Sequence, residues 1–128
     1  MNYLLDTHAL LWFISGDRTL SDKSKEIIEN YDNKCYVSIA SFWEISIKIS
    51  LNKLQIDFKW NELETFLSEN EIEILPIQLN HLQTLSTLPF HHRDPFDRLL
   101  ISQCKVEDLK FITKDENVVL YKEIKTIW

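Results

Sequence analysis

"NYLLDTHALLWFISGD", Asn2 to Asp17, changes its pattern at Asp6. "NYLLD" (2–6) reads as a short buried strand that ends at the acid. From Thr7 the pattern is helical and stops at Gly16, the residue that most easily takes the left-handed backbone of a helix C-terminus. The decisive question is whether this strand-to-helix unit, with an acid at the junction, recurs.

It does recur. "SDKSKEIIENYD" (21–32) reads as a helix with a Ser cap, and "KCYVSI" (34–39) as a strand. "ASFWEISIKISLNK" (40–53) carries apolar residues over most of its circumference, which predicts a buried helix. "KWNELETFLSEN" (59–70) is amphipathic, and "IEILPI" (72–77) is a strand interrupted by Pro76. "LNHLQTLSTL" (79–88) and "PFDRLLISQCKVED" (95–108) are helices, the second with Pro95 in its first turn. "LKFIT" (109–113) and "IKTIW" (124–128) are strands, with room for a short helix between them. Strands alternating with helices imply an α/β fold with a mostly parallel, about five-stranded sheet.

Bulk properties narrow the class. A chain of 128 residues suits a single domain, 1–128, and 45% hydrophobic with 12% aromatic residues argues against disorder. Fourteen Lys and Arg against 20 Asp and Glu leave a net charge of −6. That is a poor match for an extended nucleic-acid surface, but not for a small site where metal ions bring the positive charge. Cys35 and Cys104 lie in apolar segments without metal-ligand spacing, as reduced core cysteines of a cytoplasmic protein do. The first residues lack a basic leader pattern, and no run is long enough to cross a bilayer.

The acids fall in one place. Asp6 and Asp115 follow strands, Asp94 and Asp97 open the helix that leads into "LKFIT", and Glu44 sits early in the helix after "KCYVSI". In open parallel sheets these positions share the edge where ligands bind. Each acid also has an ordinary explanation. Asp6 and Asp94 could cap helices, Asp97 could complement a helix dipole, Asp115 could be a turn residue, and Glu44 could pair with Lys48. Together they would repel one another unless a cation sat between them. A hard divalent cation with oxygen ligands resolves the crowding and suits phosphodiester hydrolysis.

"LLDTHALLW", "SFWEISIK…NKLQI", "HRDPFDRLLISQ" and "FITKDENV" resemble, in that order, the segments of PIN-domain nucleases, most of all the VapC-type toxins of bacterial toxin–antitoxin pairs. The resemblance runs from Asn2 to Trp128. It implies a three-layer α/β/α sandwich, Mg²⁺ or Mn²⁺, and RNA cleavage. It implies that Asp6, Glu44, Asp97 and Asp115 are the catalytic, metal-site acids, with Asp94 at the metal directly or through water. It also implies a cognate antitoxin and a homodimer. Asn52 stands where this subgroup usually has Gly, and Asn tolerates the backbone that such a turn needs.

Around the acids, Thr7, Lys48, Arg93 and Arg98 are candidates for contact with substrate. His91 and His92 read as solvated loop residues and His8 as structural. One of the four tryptophans could stack on a base. An antitoxin segment would lay an apolar face into a groove walled by "THALLWFISG" and "KWNELETFLSEN", pointing an Arg or Lys at Asp6 and Asp97. Three other readings compete. A receiver-like phosphoacceptor would want paired acids after the first strand and an acceptor after the third, where "IEILPI" ends in none. An aspartyl phosphatase would want a second Asp where His8 stands. A catalytically weak adaptor would not need the full acid set.

Overall fold

The computed structural model describes residues 1–128. Its elements, in order, are β1 (Asn2–Leu5), α1 (Thr7–Ser15), α2 (Asp22–Glu29), β2 (Lys34–Ser38), α3 (Ile39–Ser50) and α4 (Trp60–Glu69). They continue as β3 (Ile72–Leu75), α5 (Leu79–Ser86), α6 (Pro95–Glu107), β4 (Lys110–Ile112), α7 (Glu116–Val119) and β5 (Thr126–Ile127). The strands form one five-stranded sheet in the order β3-β2-β1-β4-β5, and every pairing is parallel.

Both faces of the central strands β1 and β4 are covered, so these carry apolar residues without a polar side, whereas the edge strand β3 leaves Glu73 and Ile74 exposed. Tyr3, Leu5, Cys35, Val37 and Ile112 point to one face and pack with α1, α2 and α4 through Ala9, Leu10, Ile28, Leu63 and Leu67. Leu4 and Phe111 point to the other and pack with α6 and α7 through Leu99, Leu100, Ile101, Cys104 and Val118. This period-2 division makes the α/β/α sandwich. Both cysteines are free and buried.

Local signals act as their chemistry requires. The Ser21 side chain accepts the Ser24 N–H at the start of α2. Gly16 ends α1 at φ 68°. Asn52 adopts φ 55° in the turn after α3, so it takes up the backbone that Gly would otherwise supply. The expectation for α3 needs correction. Phe42, Glu44 and Ile45 are buried, but Ile39 and Trp43 on the same helix are 42% and 58% exposed. Trp43 packs against Phe96 in a T-shaped pair, at 5.2 Å between ring centroids. Apolar residues around a helix show what could be buried, not what has a partner.

Candidate active site

The chain reverses its direction of travel across the sheet between β1 and β4. From β1 it goes out to β2 and β3, then returns to β4 and β5 on the other side. In open parallel sheets a crevice forms beyond the carboxyl ends of the strands at such a point. Asp6 leaves β1 here, and its N–H donates to the Ile112 carbonyl of β4 at 3.1 Å. Thr113, Lys114 and Asp115 leave β4 beside it.

Three acids are placed by the helices that they start. Asp6 accepts the Ala9 N–H at 2.6 Å and caps α1. Asp94 accepts the N–H groups of Phe96 and Asp97 at 2.9 and 3.0 Å and caps α6. Asp115 accepts the Asn117 N–H at 2.8 Å and caps α7. The capping roles considered from sequence are therefore real, and they are also what brings the acids together. Each cap points a helix N-terminus, with its partial positive charge, at the same crevice. Asp97 stands in the first turn of α6, and Glu44 in the second turn of α3.

The crevice is a cavity of about 440 Å³ lined by Asp6, Glu44, Asp94, Asp97 and Asp115, and by Thr7 and Lys48. Crowding and burial govern its charge. The Asp97 carboxyl is pushed up to about 8, first by burial and then by the charges of Asp94, Asp115, Asp6 and Glu44. Burial also raises Asp6, while the Thr113 hydroxyl, the Ala9 N–H and the charge of His8 oppose it. Lys48 Nζ lies 3.1 Å from Glu44 Oε2, one turn along α3, and balances that buried carboxylate. The Thr7 hydroxyl donates to Ser41 Oγ at 3.0 Å and so ties α1 to α3 below the acids.

No three His, Cys, Asp or Glu side chains stand close enough to hold a metal ion directly as they are placed. The acids are held apart on their separate caps, as unscreened charges should be. The chemistry of the set nonetheless fits a hard cation. It is all oxygen, anionic and concave, and burial together with the neighbouring acids raises its most crowded member.

The model of the PIN domain matches residues 3–124. This chain belongs to the PIN-domain family. PIN domains are nucleases, so the acid crevice lies in a fold that hydrolyses phosphodiester bonds. No curated protein sequence matches the chain. Among solved structures, VapBC2 from Rickettsia felis, bound to a DNA fragment from its promoter, is similar with a TM-score of 0.72 at 18% identity, over 100% of this chain and 99% of that one. A toxin–antitoxin complex from Klebsiella pneumoniae matches with a TM-score of 0.65 at 15% identity, over 98% and 96%. FitAcB from Neisseria gonorrhoeae matches with a TM-score of 0.62 at 18% identity, over 100% and 97%. At these identities the likeness is one of fold.

Some residues of this PIN domain are not where the sequence suggested. Arg98 is buried in α6 and turned away from the acids, so it is not placed to meet substrate. Its guanidinium donates to the carbonyls of Pro89 and Leu88 at 2.7 and 3.1 Å and to Tyr121 Oη at 2.9 Å. It also lies over the Phe90 ring at 3.8 Å. Arg93 is exposed and does not line the cavity. His92 is not a solvated loop residue. It is half-buried, with Nε2 3.3 Å from Asp97 Oδ2 and Nδ1 3.0 Å from Tyr121 Oη. His8, read as structural, is exposed at the rim, 5.6 Å from the Trp12 ring. Trp12, one of the four tryptophans considered for stacking, lines the rim, and Lys114 and Glu116, which were not singled out, complete it. The position of Lys114 between Thr113 and Asp115, just past a strand, was the available signal.

Beside the crevice runs an apolar groove of about 520 Å³, which shares His8 and Trp12 with it. One wall is α1, through Leu11 and Ile14. The other is the segment holding Leu54, Ile56 and Phe58, not the helix "KWNELETFLSEN" expected there. The apolar face of α4 is already spent in the core, through Leu63 and Leu67.

Proposed function

We propose that this PIN domain is a divalent-metal-dependent endoribonuclease and the toxin of a toxin–antitoxin pair. The observation that carries the reading is the crevice of five carboxylates at the sheet's reversal point, where burial and then the neighbouring acids push Asp97 up to about 8. Asp6, Asp97 and Asp115 would hold Mg²⁺ or Mn²⁺, with Glu44 and Asp94 supporting them. The ion, when bound, supplies a Lewis acid that makes water nucleophilic near neutral pH and offsets phosphodiester charge. The chain's own residues position the rest. Thr7 is available to orient water at the base of the crevice. Lys48 and Lys114 give the rim cationic side chains that can meet the flanking phosphates. Trp12 offers a ring at the same rim, with Lys114 Nζ 5.5 Å from its centroid.

RNA as substrate rests on the likeness to VapC-type toxins. The purified chain should cleave RNA with Mn²⁺ and stop with EDTA. Cleavage that survives chelation, or is lost to neither Asp6→Asn nor Asp97→Asn, would sink the assignment.

An antitoxin partner is supported by the apolar groove that opens onto the acid crevice. An amphipathic segment laid along Leu11, Ile14, Leu54 and Ile56 would bring an Arg or Lys at its end to the carboxylates. Leu54→Asp should break a complex with the co-expressed antitoxin while leaving RNA cleavage intact; an unbroken complex removes the groove from consideration. A homodimer is supported by the exposed Ile39 and Trp43 of α3 and Leu79 and Leu82 of α5. Sedimentation at micromolar concentration decides it, and a monomer would reject it.

A further inference from the structure

Behind Asp97 stands a line of side chains from three places in the chain. Arg98 Nη1 donates to Tyr121 Oη at 2.9 Å, Tyr121 Oη lies 3.0 Å from His92 Nδ1, and His92 Nε2 lies 3.3 Å from Asp97 Oδ2. Tyr121 is 1% exposed, so its hydroxyl must satisfy its bonds within the protein.

The direction of these bonds follows from the donor inventory. The hydroxyl has one proton to give and two lone pairs. The Arg98 guanidinium at 2.9 Å takes one lone pair, and the N–H groups of His91 and His92, at 3.2 and 3.4 Å, share the other; all three can only donate to it. His92 Nδ1 is the one neighbour able to accept, so the hydroxyl proton goes there. Nδ1 is then bare, and the ring's proton sits on Nε2, where it donates to Asp97 Oδ2.

We infer that Arg98, Tyr121 and His92 form a one-way hydrogen-bond relay that sets the His92 tautomer and positions the Asp97 carboxylate for a divalent cation. Asp97 needs such a hold more than the other acids. Asp6, Asp94 and Asp115 each take a backbone N–H as caps, whereas the Asp97 side chain meets His92. With Oδ2 held, the other oxygen is left for the ion. His92, Tyr121 and Arg98 are positioning residues. Arg98 also anchors the loop that carries His92, through Leu88 and Pro89. This inference rests on the metal-site reading of Asp97.

The test uses histidine-¹⁵N-labelled full-length protein. Without metal, and above pH 8 where Asp97 is ionised and can only accept, His92 should show the Nε2–H tautomer, its signal being identified by loss in His92→Gln. Mn²⁺ titration by electron paramagnetic resonance should then show about 10-fold weaker binding for His92→Ala, the cost usual for removing a group that orients a ligand. His92→Gln, whose amide can still donate to Asp97, should stay within about threefold, well short of the about tenfold usual for such losses. Melting curves on each variant check the fold. An Nδ1–H tautomer, or wild-type Mn²⁺ affinity in His92→Ala, would overturn the relay while Asp97→Asn still loses the ion. A wild-type chain that binds no Mn²⁺ would overturn the site reading, and the positioning role with it, even with the tautomer as expected.

Discussion

Lys48 sits one turn after Glu44 on α3, with its ammonium 3.1 Å from a carboxylate that is nearly buried. Lys48→Ala would leave Glu44 unpaired among four other acids. The expected cost is about 1 kcal/mol, at the upper end for a pair with one exposed partner. In a chain of this size that lowers the melting temperature by about 4 °C. Mn²⁺ should recover most of the loss by supplying a new countercharge. Equal melts for variant and wild type, with and without Mn²⁺, would mean that Lys48 is not what balances Glu44.

The raised Asp97 carboxyl sets the sign of a pH effect. Its ordinary value is 3.8 and its folded value about 8, so between these the folded protein holds a proton that the unfolded chain releases. Stability from this group is present below pH 4 and is lost as pH rises toward 8. Without metal, the wild type should melt lower at pH 8.5 than at pH 6, and Asp97→Asn should flatten that part of the profile. A metal-free wild type that melts higher at pH 8.5 reverses the sign and refutes the account.

Metal should invert this behaviour. An ion that displaces the Asp97 proton binds more tightly as pH rises through about 8. Saturating Mn²⁺, at 100 times its dissociation constant, should stabilise the fold by about 2.7 kcal/mol, or roughly 10 °C. Asp6→Asn keeps the cap on α1, because an amide also accepts an N–H, but should lose that shift and at least about 100-fold in cleavage rate. An undiminished shift in Asp6→Asn places the ion elsewhere.

Arg98 supplies a contrast, since its work is structural. Arg98→Ala removes donors to two carbonyls and a hydroxyl and empties a buried space, for about 3 kcal/mol. Arg98→Lys should rescue little, because a point charge does not replace a planar fork. Wild-type melting in Arg98→Ala, with weakened RNA binding, would return this residue to the substrate side.

The α/β alternation and the acids at the strand ends were legible because strand, helix and cap each leave a local pattern. Arg98 was misread because it neighbours Asp97 in sequence. One residue along a helix turns a side chain by about 100°, so Asp97 faces the crevice and Arg98 the core. His92 was misread as a solvated loop residue because its partner Tyr121 comes 29 residues later, beyond any local period. The exposure of Trp43 was illegible for a related reason. Apolar character shows in the sequence, but the element that would cover a side chain does not.

The β1–β4 pairing carries a consequence for timing. Leu5 lies across from Ile112, and Asp6 comes within reach of Asp115 only when that pairing forms. A ribosome adding about 5–20 residues per second spends on the order of 10 s between these acids. Throughout that interval β4, and with it Asp115, is still missing, so the crevice lacks one side. Chains stalled short of Lys110 should keep β1 accessible to protease on its β4 side. The acid site is thus one of the last features of the molecule to be completed: the Asp6 and Glu44 side rests on β1, α1 and α3, while the Asp115 side waits for β4.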